Sequence, residues 1–345
     1  MDAAGRETKR EILSQPETWA ATLGRLRDAA GPIRQLWQGA PPQQAILTGC
    51  GSTYYAAAIA ATILQTLTGV PARGVPASEL LLYPESIYPR SGRTMLVAIS
   101  RSGSTSETVK AASDFAAANV GPLVTLSAYA DEPLARLGAL NLVFPDAQEQ
   151  SIVQTRAFTS LLLAATGLAA LWSGHDDLLR ELDRLPAAGQ RVIDRHLPRM
   201  AALASEPYER SFFLGSGPQY GLACEAALKT KEVSLQPSEP FHFLEFRHGP
   251  KSLVTPETLV VGLLGAHADL ERPVIAESAG FGGKTLTIGE EDADLSFDSG
   301  LSEFARGVLA LPPIQWLAVE RALAQGLDPD HPRNLSAVIT LDLGG

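Results

Sequence analysis

Cysteine is scarce in this sequence, and its scarcity excludes two kinds of protein. The 345 residues include two cysteines, Cys50 and Cys224, which lie far apart and form no Cys-x-x-Cys pair. A disulfide framework and a cysteine-rich metal site both need more cysteines at closer spacing. The composition fits a reducing compartment, so we expect a cytoplasmic protein. The polar, charged N-terminal segment also predicts no secretory signal.

Basic runs and long apolar runs are missing as well. The formal net charge is −10, and no run of Lys and Arg forms a basic stripe. We therefore expect no nucleic-acid partner, because clustered positive charge is what binds a phosphate backbone. The most apolar stretch, residues 161–172, is shorter than the roughly 20 residues that a membrane-spanning helix needs. We therefore expect no membrane partner either.

What is present is an alternation of short apolar runs and helical patterns. Residues 8–38 predict two amphipathic helices separated at Pro16. Helical patterns then alternate with apolar runs, which predict strands at residues 45–47, 72–75, 95–99, 123–126 and 141–144. Residues 155–200 are predicted to be wholly helical. This alternation predicts an α/β fold with a parallel sheet covered by helices on both faces.

The second half of the chain repeats the first at an offset of 166 residues. Gly49 and Gly51 correspond to Gly215 and Gly217, and in both places a strand precedes the Gly-x-Gly and an Ala-rich helix follows it. Further apolar runs predict strands at residues 258–264 and 284–288. We expect N-terminal helices over residues 1–34, a first α/β domain over 35–195 and a second over 196–345.

Residues 97–108, Val-Ala-Ile-Ser-Arg-Ser-Gly-Ser-Thr-Ser-Glu-Thr, carry the main functional signal. A predicted buried strand is followed by hydroxyl side chains around Gly103 and then by a helix from about Glu107. The N-terminus of that helix offers free N–H groups and a positive dipole end, which suit a phosphate. An ordinary helix cap is the alternative, but a cap needs one hydroxyl rather than five. The second repeat lacks this cluster, because Leu-Leu-Gly-Ala stands at residues 263–266.

Ligands of doubly wound sheets bind beyond the carboxyl ends of the strands, where residues 48–53 and 100–105 are both expected. Gly103 would let the backbone approach a ligand closely. Arg101 either adds a charge to this site or points into solvent. We predict that one phosphate is held jointly by four hydroxyl side chains: Thr53, Ser100, Ser102 and Thr105.

A dinucleotide is the alternative ligand for a Gly-x-Gly that follows a strand. The third glycine of that fingerprint is replaced by Tyr54, and no acidic residue lies about twenty positions further on. The lysine of a phosphate-binding P-loop is also missing. We therefore favour a simple phosphate compound over a nucleotide cofactor, and we expect no cofactor.

Acid–base candidates lie in the second block. Moving a proton between adjacent sugar carbons needs a carboxylate, and opening a sugar ring needs a group that titrates near neutrality. Glu232, at the end of an Ala-rich helix, and His248, before Gly-Pro, fit these two tasks. The alternatives are a solvated helix-end charge and an ordinary loop histidine. His242, Glu245 and His248 share no helix face, so we expect no metal.

These motifs resemble those of sugar isomerase (SIS) domain proteins. The resemblance covers roughly residues 35–345 and lies in Cys-Gly-Ser-Thr at 50–53, Ser-Arg-Ser-Gly-Ser-Thr at 100–105, Lys-Glu at 231–232 and Arg-His-Gly-Pro-Lys at 247–251. Pro-Arg-Asn-Leu follows at 332–335 in the expected order. The chain is most similar to the isomerase half of glutamine–fructose-6-phosphate aminotransferases and to amino-sugar-phosphate deaminase/isomerases. The resemblance implies two tandem SIS domains, each a three-layer αβα sandwich.

The resemblance also implies roles for individual residues. Glu232 would be the base for proton transfer between C1 and C2, and His248, contributed by the neighbouring subunit, would open the sugar ring. A homodimer with a shared active site is therefore expected. The residues implied to bind the sugar phosphate are Ser52, Thr53, Ser100, Arg101, Ser102, Gly103, Thr105 and Gln154.

Three departures from the aminotransferase pattern affect the expected reaction. The sequence has no room for a glutaminase domain, so we expect no ammonia release from glutamine. Ala337 stands where the aminotransferases have a lysine that forms a Schiff base with the open sugar, so we expect no Schiff base from this site unless another lysine, such as Lys251, substitutes. Gln154 stands where the aminotransferases have a sugar-binding serine, and Arg101 stands where they have a glutamine.

Three functions follow from these observations. The leading hypothesis is a deaminase/isomerase that converts glucosamine 6-phosphate to fructose 6-phosphate and ammonia. The second is a deglycase that acts on a fructosamine 6-phosphate, whose own amine can form an iminium. The third is a sugar-phosphate sensor without turnover, which would keep the phosphate site but lose the acid–base groups.

Overall fold

The computed structural model describes residues 4–39, 41–89 and 91–342. Its strands are β1 (Gln44–Gly49), β2 (Ala72–Pro76), β3 (Thr94–Ser100), β4 (Leu123–Ser127), β5 (Leu140–Val143), β6 (Arg210–Gly215), β7 (Ser238–His242), β8 (Thr258–Leu263), β9 (Lys284–Gly289) and β10 (Leu295–Ser296). All strand pairs are parallel. The predicted α/β class with parallel sheets is therefore confirmed.

Helices connect these strands. In the first half they are α1 (Arg6–Leu13), α2 (Gln15–Asp28), α3 (Ala30–Gly39), α4 (Ser52–Thr68), α5 (Ala77–Leu82), α6 (Pro84–Ile87), α7 (Ser106–Ala118) and α8 (Arg156–Ser173). In the second half they are α9 (Asp176–Leu182), α10 (Leu185–Ala204), α11 (Pro218–Ser234), α12 (Phe243–Phe246), α13 (Ala268–Gly280), α14 (Glu303–Arg306) and α15 (Leu311–Ala324). Short 3₁₀ turns span Pro133–Arg136, Pro145–Ala147, Pro250–Leu253 and Gly307–Ala310.

The two sheets have the same strand order. The first runs β2-β1-β3-β4-β5, and the second, read from its β7 edge, runs β7-β6-β8-β9-β10. Each sheet belongs to its own compact unit. The first-sheet unit comprises Glu17–Glu149, Arg156–Asp183 and Ser336–Gly345; the second-sheet unit comprises Met1–Pro16, Gln150–Thr155 and Arg184–Leu335. The domain boundaries expected after residues 34 and 195 stay predictions.

Helices cover both faces of the first sheet. Ile46, Leu96 and Ala98 pack against α5 and α7 on one face. On the other face a Cβ added to Gly74 would lie 2.4 Å from the Cα of Ala58, so α4 runs directly across β2. Helix α8 packs against α4. Every residue of β3 is buried, which explains the continuous apolar run at residues 95–99.

The second sheet is covered by a different set of helices. Phe212, Val260 and Leu264 form an apolar cluster with α12 and α13. Helix α11 contacts β6 and β7 and packs against α15, which in turn packs against α10. Among the described residues, one helix, α8 in the first-sheet unit, is long and apolar enough to cross a membrane by length and composition alone, but 89% of it is buried inside the protein. A core helix has the same properties.

Two helical expectations were wrong. The predicted pair of helices over residues 8–38 is three helices, α1, α2 and α3. Pro16 lies in the first turn of α2, where a missing N–H costs nothing, and the chain breaks before it, at Ser14. Residues 155–200, predicted to be wholly helical, are instead interrupted by short breaks between α8, α9 and α10, and Gly174, with φ of 71°, ends α8.

Candidate functional site

The hydroxyl turn, defined as residues 100–105, lies at the carboxyl end of β3 and leads into α7. Strand β1 is hydrogen-bonded to β3 in parallel, so the turn after β1 opens at the same edge of the first sheet. The Sγ of Cys50 lies 3.4 Å from the Oγ1 of Thr108 in α7, which brings the two turns together. The predicted location at the carboxyl edge of the sheet is therefore observed for both turns.

Three hydroxyl groups of the hydroxyl turn form a small triangle. The Oγ of Ser100 lies 3.4 Å from the Oγ of Ser102 and 3.5 Å from the Oγ1 of Thr105, and the latter two oxygens are 3.3 Å apart. Thr105 is the N-cap residue of α7, yet no side chain caps that helix. The triangle therefore lies at a helix N-terminus without serving as its cap, an arrangement that can bind an anion.

The backbone of the hydroxyl turn is held by the same side chains. The N–H of Gly103 donates to Ser100 Oγ at 3.1 Å, and the N–H of Ser104 donates to Ser102 Oγ at 3.2 Å. Gly103 has φ of 71°, and a Cβ added there would lie 2.9 Å from the Cβ of Glu132. Glycine is therefore required on two counts, the left-handed backbone and the close approach of Glu132.

The turn after β1 is stabilised by hydrogen bonds between its own residues. Thr53 Oγ1 accepts the N–H of Cys50 at 3.0 Å and donates to the carbonyl of Cys50 at 2.9 Å. Ser52 and Thr53 are both buried at the start of α4. The structure thus brings Ser100, Ser102 and Thr105 together, but it engages the Thr53 hydroxyl inside its own turn. Direct phosphate contacts from Ser52 and Thr53 stay predictions.

Arg101 is buried rather than exposed, so the solvent alternative is wrong. Its Nη1 lies 3.1 Å from Glu149 Oε2, and its Nη2 donates to the carbonyl of Ala337 at 2.9 Å. The second Glu149 oxygen, Oε1, accepts the N–H of Ala157 in the first turn of α8 at 3.1 Å. Arg101 therefore joins the hydroxyl turn to two segments that are remote in sequence.

Gln154 belongs to the second-sheet unit, in the segment Gln150–Thr155. Its Oε1 is buried and has no hydrogen-bond partner among the described residues. Leaving a buried carbonyl unpaired costs about 1–3 kcal/mol, which a ligand hydroxyl can recover by donating to it.

Glu232 lies on one face of α11 with two residues that the sequence reasoning missed. Lys229 is almost fully buried; it forms an ion pair with Glu232 and lies 3.5 Å from Glu225. The Glu232 side chain remains 21% exposed, so its carboxylate is both held and accessible. The signal for this cluster was the spacing of 225, 229 and 232, because residues three and four apart meet on a helix surface.

His248 is exposed in the turn between α12 and the 3₁₀ turn Pro250–Leu253. Its backbone N–H donates to the carbonyl of Glu245 at 2.9 Å. Gly249 follows with φ of 138°, which only glycine adopts without strain. The imidazole is thus presented on the surface by a turn that glycine makes possible.

The turn after β8 in the second sheet holds carboxylates of its own chain. The N–H of Gly265 donates to Glu271 at 2.7 Å, and the N–H of Ala266 donates to Glu303 at 3.0 Å. Burial raises the pKa of Glu271, and the Glu303 charge raises it further. This turn occupies the place in its sheet that the hydroxyl turn occupies in the first, but its N–H groups are already engaged.

Nearby, the His242 ring stacks on Tyr220 with centroids 3.7 Å apart. Burial lowers the pKa of His242, which favours the neutral imidazole. Among residues 4–39, 41–89 and 91–342, no group of three His, Cys, Asp or Glu side chains is arranged to hold a metal ion.

The part of the chain that contains the hydroxyl turn matches a known protein family. Residues 40–171, which contain the hydroxyl turn, match the family model of the SIS domain. The match lies within the first half of the chain, and it confirms the predicted resemblance to SIS domain proteins.

Curated relatives match nearly the whole chain. Glutamine–fructose-6-phosphate aminotransferase of Pseudomonas aeruginosa is 29% identical, over 96% of this chain and 58% of that protein. The Thermus thermophilus protein of the same name is 30% identical, with the same two coverages. The chain thus spans about 58% of the length of these relatives.

Solved structures cover nearly all of the chain. Glucosamine-6-phosphate deaminase of Thermotoga maritima is 26% identical, with a TM-score of 0.74 over 93% of this chain and all of that one. Tagatose-6-phosphate ketose/aldose isomerase of Escherichia coli, at 22% identity, shares the fold with a TM-score of 0.86, over 96% of this chain and 98% of that one.

Proposed function

We propose that the protein is a phosphosugar isomerase that acts on an amino sugar, converting glucosamine 6-phosphate to fructose 6-phosphate and ammonia. The observation that carries this proposal is the hydroxyl triangle of Ser100, Ser102 and Thr105 at the N-terminus of α7. The triangle suits a dianionic phosphate in a protein whose net charge is −10, because local donors replace a basic surface.

The second sheet supports a tandem arrangement of two SIS domains, over residues 35–195 and 196–345. Its strand order matches that of the first sheet, and a Gly-x-Gly turn opens α11 as another opens α4. Because Glu271 and Glu303 already occupy the turn after β8, the phosphate site of this proposal lies in the first domain only. The second domain would supply the acid–base groups.

The reaction needs one base and one ring-opening group. His248 would donate and accept the protons of ring opening, and its exposure fits a residue offered to the site of a partner subunit in a cytoplasmic homodimer. Glu232 would then remove the proton from C2 of the open aldose and return it to C1. Lys229, ion-paired to Glu232, would hold that carboxylate in place.

Ammonia release then follows from the substrate's own nitrogen. Transfer of the C2 proton to C1, together with a proton that moves from the amine nitrogen to O1, converts the 2-amino aldehyde into a 1-hydroxy imine at C2. Water adds to this imine, and loss of ammonia leaves the ketone of fructose 6-phosphate. No lysine Schiff base at position 337 is needed, which fits the alanine found there.

The test is an assay of the purified protein with glucosamine 6-phosphate that measures fructose 6-phosphate and ammonia separately. We expect both products in equal amounts, and a large loss of both in Glu232→Gln. Absence of both products over hours, with tight sugar-phosphate binding, would support the sensor without turnover instead.

The alanine at position 337 also fits the second candidate, a fructosamine-6-phosphate deglycase, because that substrate carries the amine that an enzyme lysine would otherwise supply. A panel of phosphorylated amino sugars and fructosamine 6-phosphates separates the two enzymes by their kcat/KM values. A higher kcat/KM on a fructosamine 6-phosphate than on glucosamine 6-phosphate would replace the leading proposal with this one.

A further inference from the structure

The Arg101 side chain does not point into solvent but contacts two segments that are remote from the hydroxyl turn in sequence. It is the second residue of that turn, it is only 7% exposed, and its guanidinium bonds in two directions at once. One partner is Glu149, just before α8, and the other is the carbonyl of Ala337. A planar guanidinium can donate hydrogen bonds to both acceptors at once. The glutamine that the aminotransferases have at this position is too short to do so.

The Glu149 side of this junction is rigid. Its side chain is fully buried, and its two oxygens are divided between Arg101 and the N–H of Ala157 at the start of α8. A carboxylate at a helix N-terminus is favoured by the helix dipole, so Glu149 is anchored independently of Arg101. The position of the guanidinium is therefore fixed by α8.

The bond from Arg101 to the carbonyl of Ala337 holds a segment of the chain that has few other contacts to the hydroxyl turn. Beyond Ala337, the N–H of Ser106 donates to the carbonyl of Ile339 at 3.4 Å, and the N–H of Leu341 donates to Ser106 Oγ at 3.0 Å. The apolar side chains of Ile339 and Leu341 are about half exposed, so burial contributes little. Residues 336–341, here called the tail segment, are thus held by hydrogen bonds to Arg101, within the hydroxyl turn, and to Ser106, directly after it.

We propose that Arg101 is a positioning residue that latches the tail segment onto the hydroxyl turn, so that phosphate binding and tail order stabilise each other. Arg101 then acts through the backbone of Ala337 and through Glu149, and it is not itself a ligand of the phosphate. By linkage, a ligand that favours the latched form of the turn must also protect the tail segment. The identity of that ligand, a sugar phosphate, rests on the proposed function.

The test compares Arg101→Gln with the wild type by amide hydrogen exchange of the tail segment, without and with inorganic phosphate. In Arg101→Gln we expect about 10-fold or faster exchange at Leu341 and Ser106, whose N–H groups form the other bonds between the tail segment and the start of α7, because the latch to Ala337 is lost. Phosphate should slow tail exchange in the wild type and should do so much less in the variant. Arg27→Gln, which removes an exposed ion pair with Asp183 in the same unit, is the matched control and should change neither.

Steady-state kinetics add a readout that general destabilisation would not give. Arg101→Gln should raise KM for glucosamine 6-phosphate about 10-fold or more while kcat changes by less than about 3-fold. Ser106→Ala leaves the Arg101–Glu149 pair intact and removes the bond to Leu341, so it should loosen the tail even where Arg101→Gln fails to fold.

Each outcome decides the proposal. Tail exchange that stays at the wild-type rate in folded Arg101→Gln overturns the latch. Where that variant does not fold, failure of phosphate to slow tail exchange in Ser106→Ala, whose Arg101–Ala337 bond is intact, overturns it. If tail exchange rises as expected but the wild type releases no fructose 6-phosphate, the latch stands and the proposed function fails. If phosphate leaves tail exchange unchanged in the wild type, the coupling is refuted.

Discussion

Replacement of Ser102 by alanine tests the hydroxyl turn most sharply. Its Oγ is one corner of the triangle with Ser100 and Thr105, at 3.4 and 3.3 Å, and the side chain is half-buried. A hydrogen bond from a neutral donor to a charged group contributes about 1.5–3 kcal/mol. With about 1.4 kcal/mol for each factor of ten, the loss corresponds to about 10- to 150-fold weaker phosphate binding.

Two measurements check this prediction independently of each other. Calorimetric titration with inorganic phosphate should show the loss in Kd, and steady-state kinetics should show a similar rise in KM for glucosamine 6-phosphate. The kcat should change little, because the phosphate is remote from the carbons that react. The thermal midpoint should also change little, since the lost bonds are those to the N–H of Ser104 and the long contacts with the hydroxyls of Ser100 and Thr105, all within one turn.

Ser104→Ala is the matched control for this experiment. It removes a hydroxyl from the same turn, but one that lies outside the triangle, and it should change Kd and KM by less than about 2-fold. If Ser102→Ala binds phosphate as tightly as the wild type, the triangle is not the phosphate site and the reasoning fails.

The remaining predictions concern the base, the glycine and the buried carboxylate. Glu232→Gln should lower kcat about 10²- to 10⁴-fold with KM nearly unchanged, as single-turnover and steady-state assays can show; retained kcat would remove Glu232 from the mechanism. Gly103→Ala should lower the free energy of unfolding by about 1–3 kcal/mol in urea titrations, because the left-handed backbone and contact with Glu132 both oppose a Cβ; an unchanged midpoint would contradict the geometry. The pKa of Glu271 is raised, so the folded state binds the Glu271 proton more tightly than the unfolded state does. The ionised carboxylate therefore destabilises the fold at a pH above the folded-state pKa. This destabilisation disappears as the pH falls toward the ordinary carboxyl pKa. Glu271→Gln should therefore raise the thermal midpoint near pH 8, and this gain should shrink toward pH 5. A gain of the same size at both pH values would contradict the raised pKa of Glu271.

Strand positions were predictable because burial leaves a direct trace in the sequence. The run at residues 95–99 predicted β3, and the structure extends it by one residue at each end. The helix breaks were harder to predict, because proline is tolerated in the first turn of a helix, as Pro16 is in α2. Only the tertiary packing decides whether such a proline interrupts a helix or begins one.

The site was predictable where its residues are close in sequence. Ser100, Ser102 and Thr105 meet because one turn carries all three. The partners of Arg101 were not predictable, since Glu149 and Ala337 are 48 and 236 residues away along the chain. The sequence could therefore name Arg101 but could not decide between a ligand, a solvated side chain and a buried ion pair.

The proposed reaction depends on the hydroxyl turn binding the phosphate of a sugar. A crystal structure of the protein with glucosamine 6-phosphate tests it directly. We predict phosphate oxygens at about 2.6–3.0 Å from the hydroxyl oxygens of Ser100, Ser102 and Thr105. A bound sugar phosphate whose phosphate lies elsewhere, with these three hydroxyls still bonded only to one another and to the N–H groups of Gly103 and Ser104, would contradict the account.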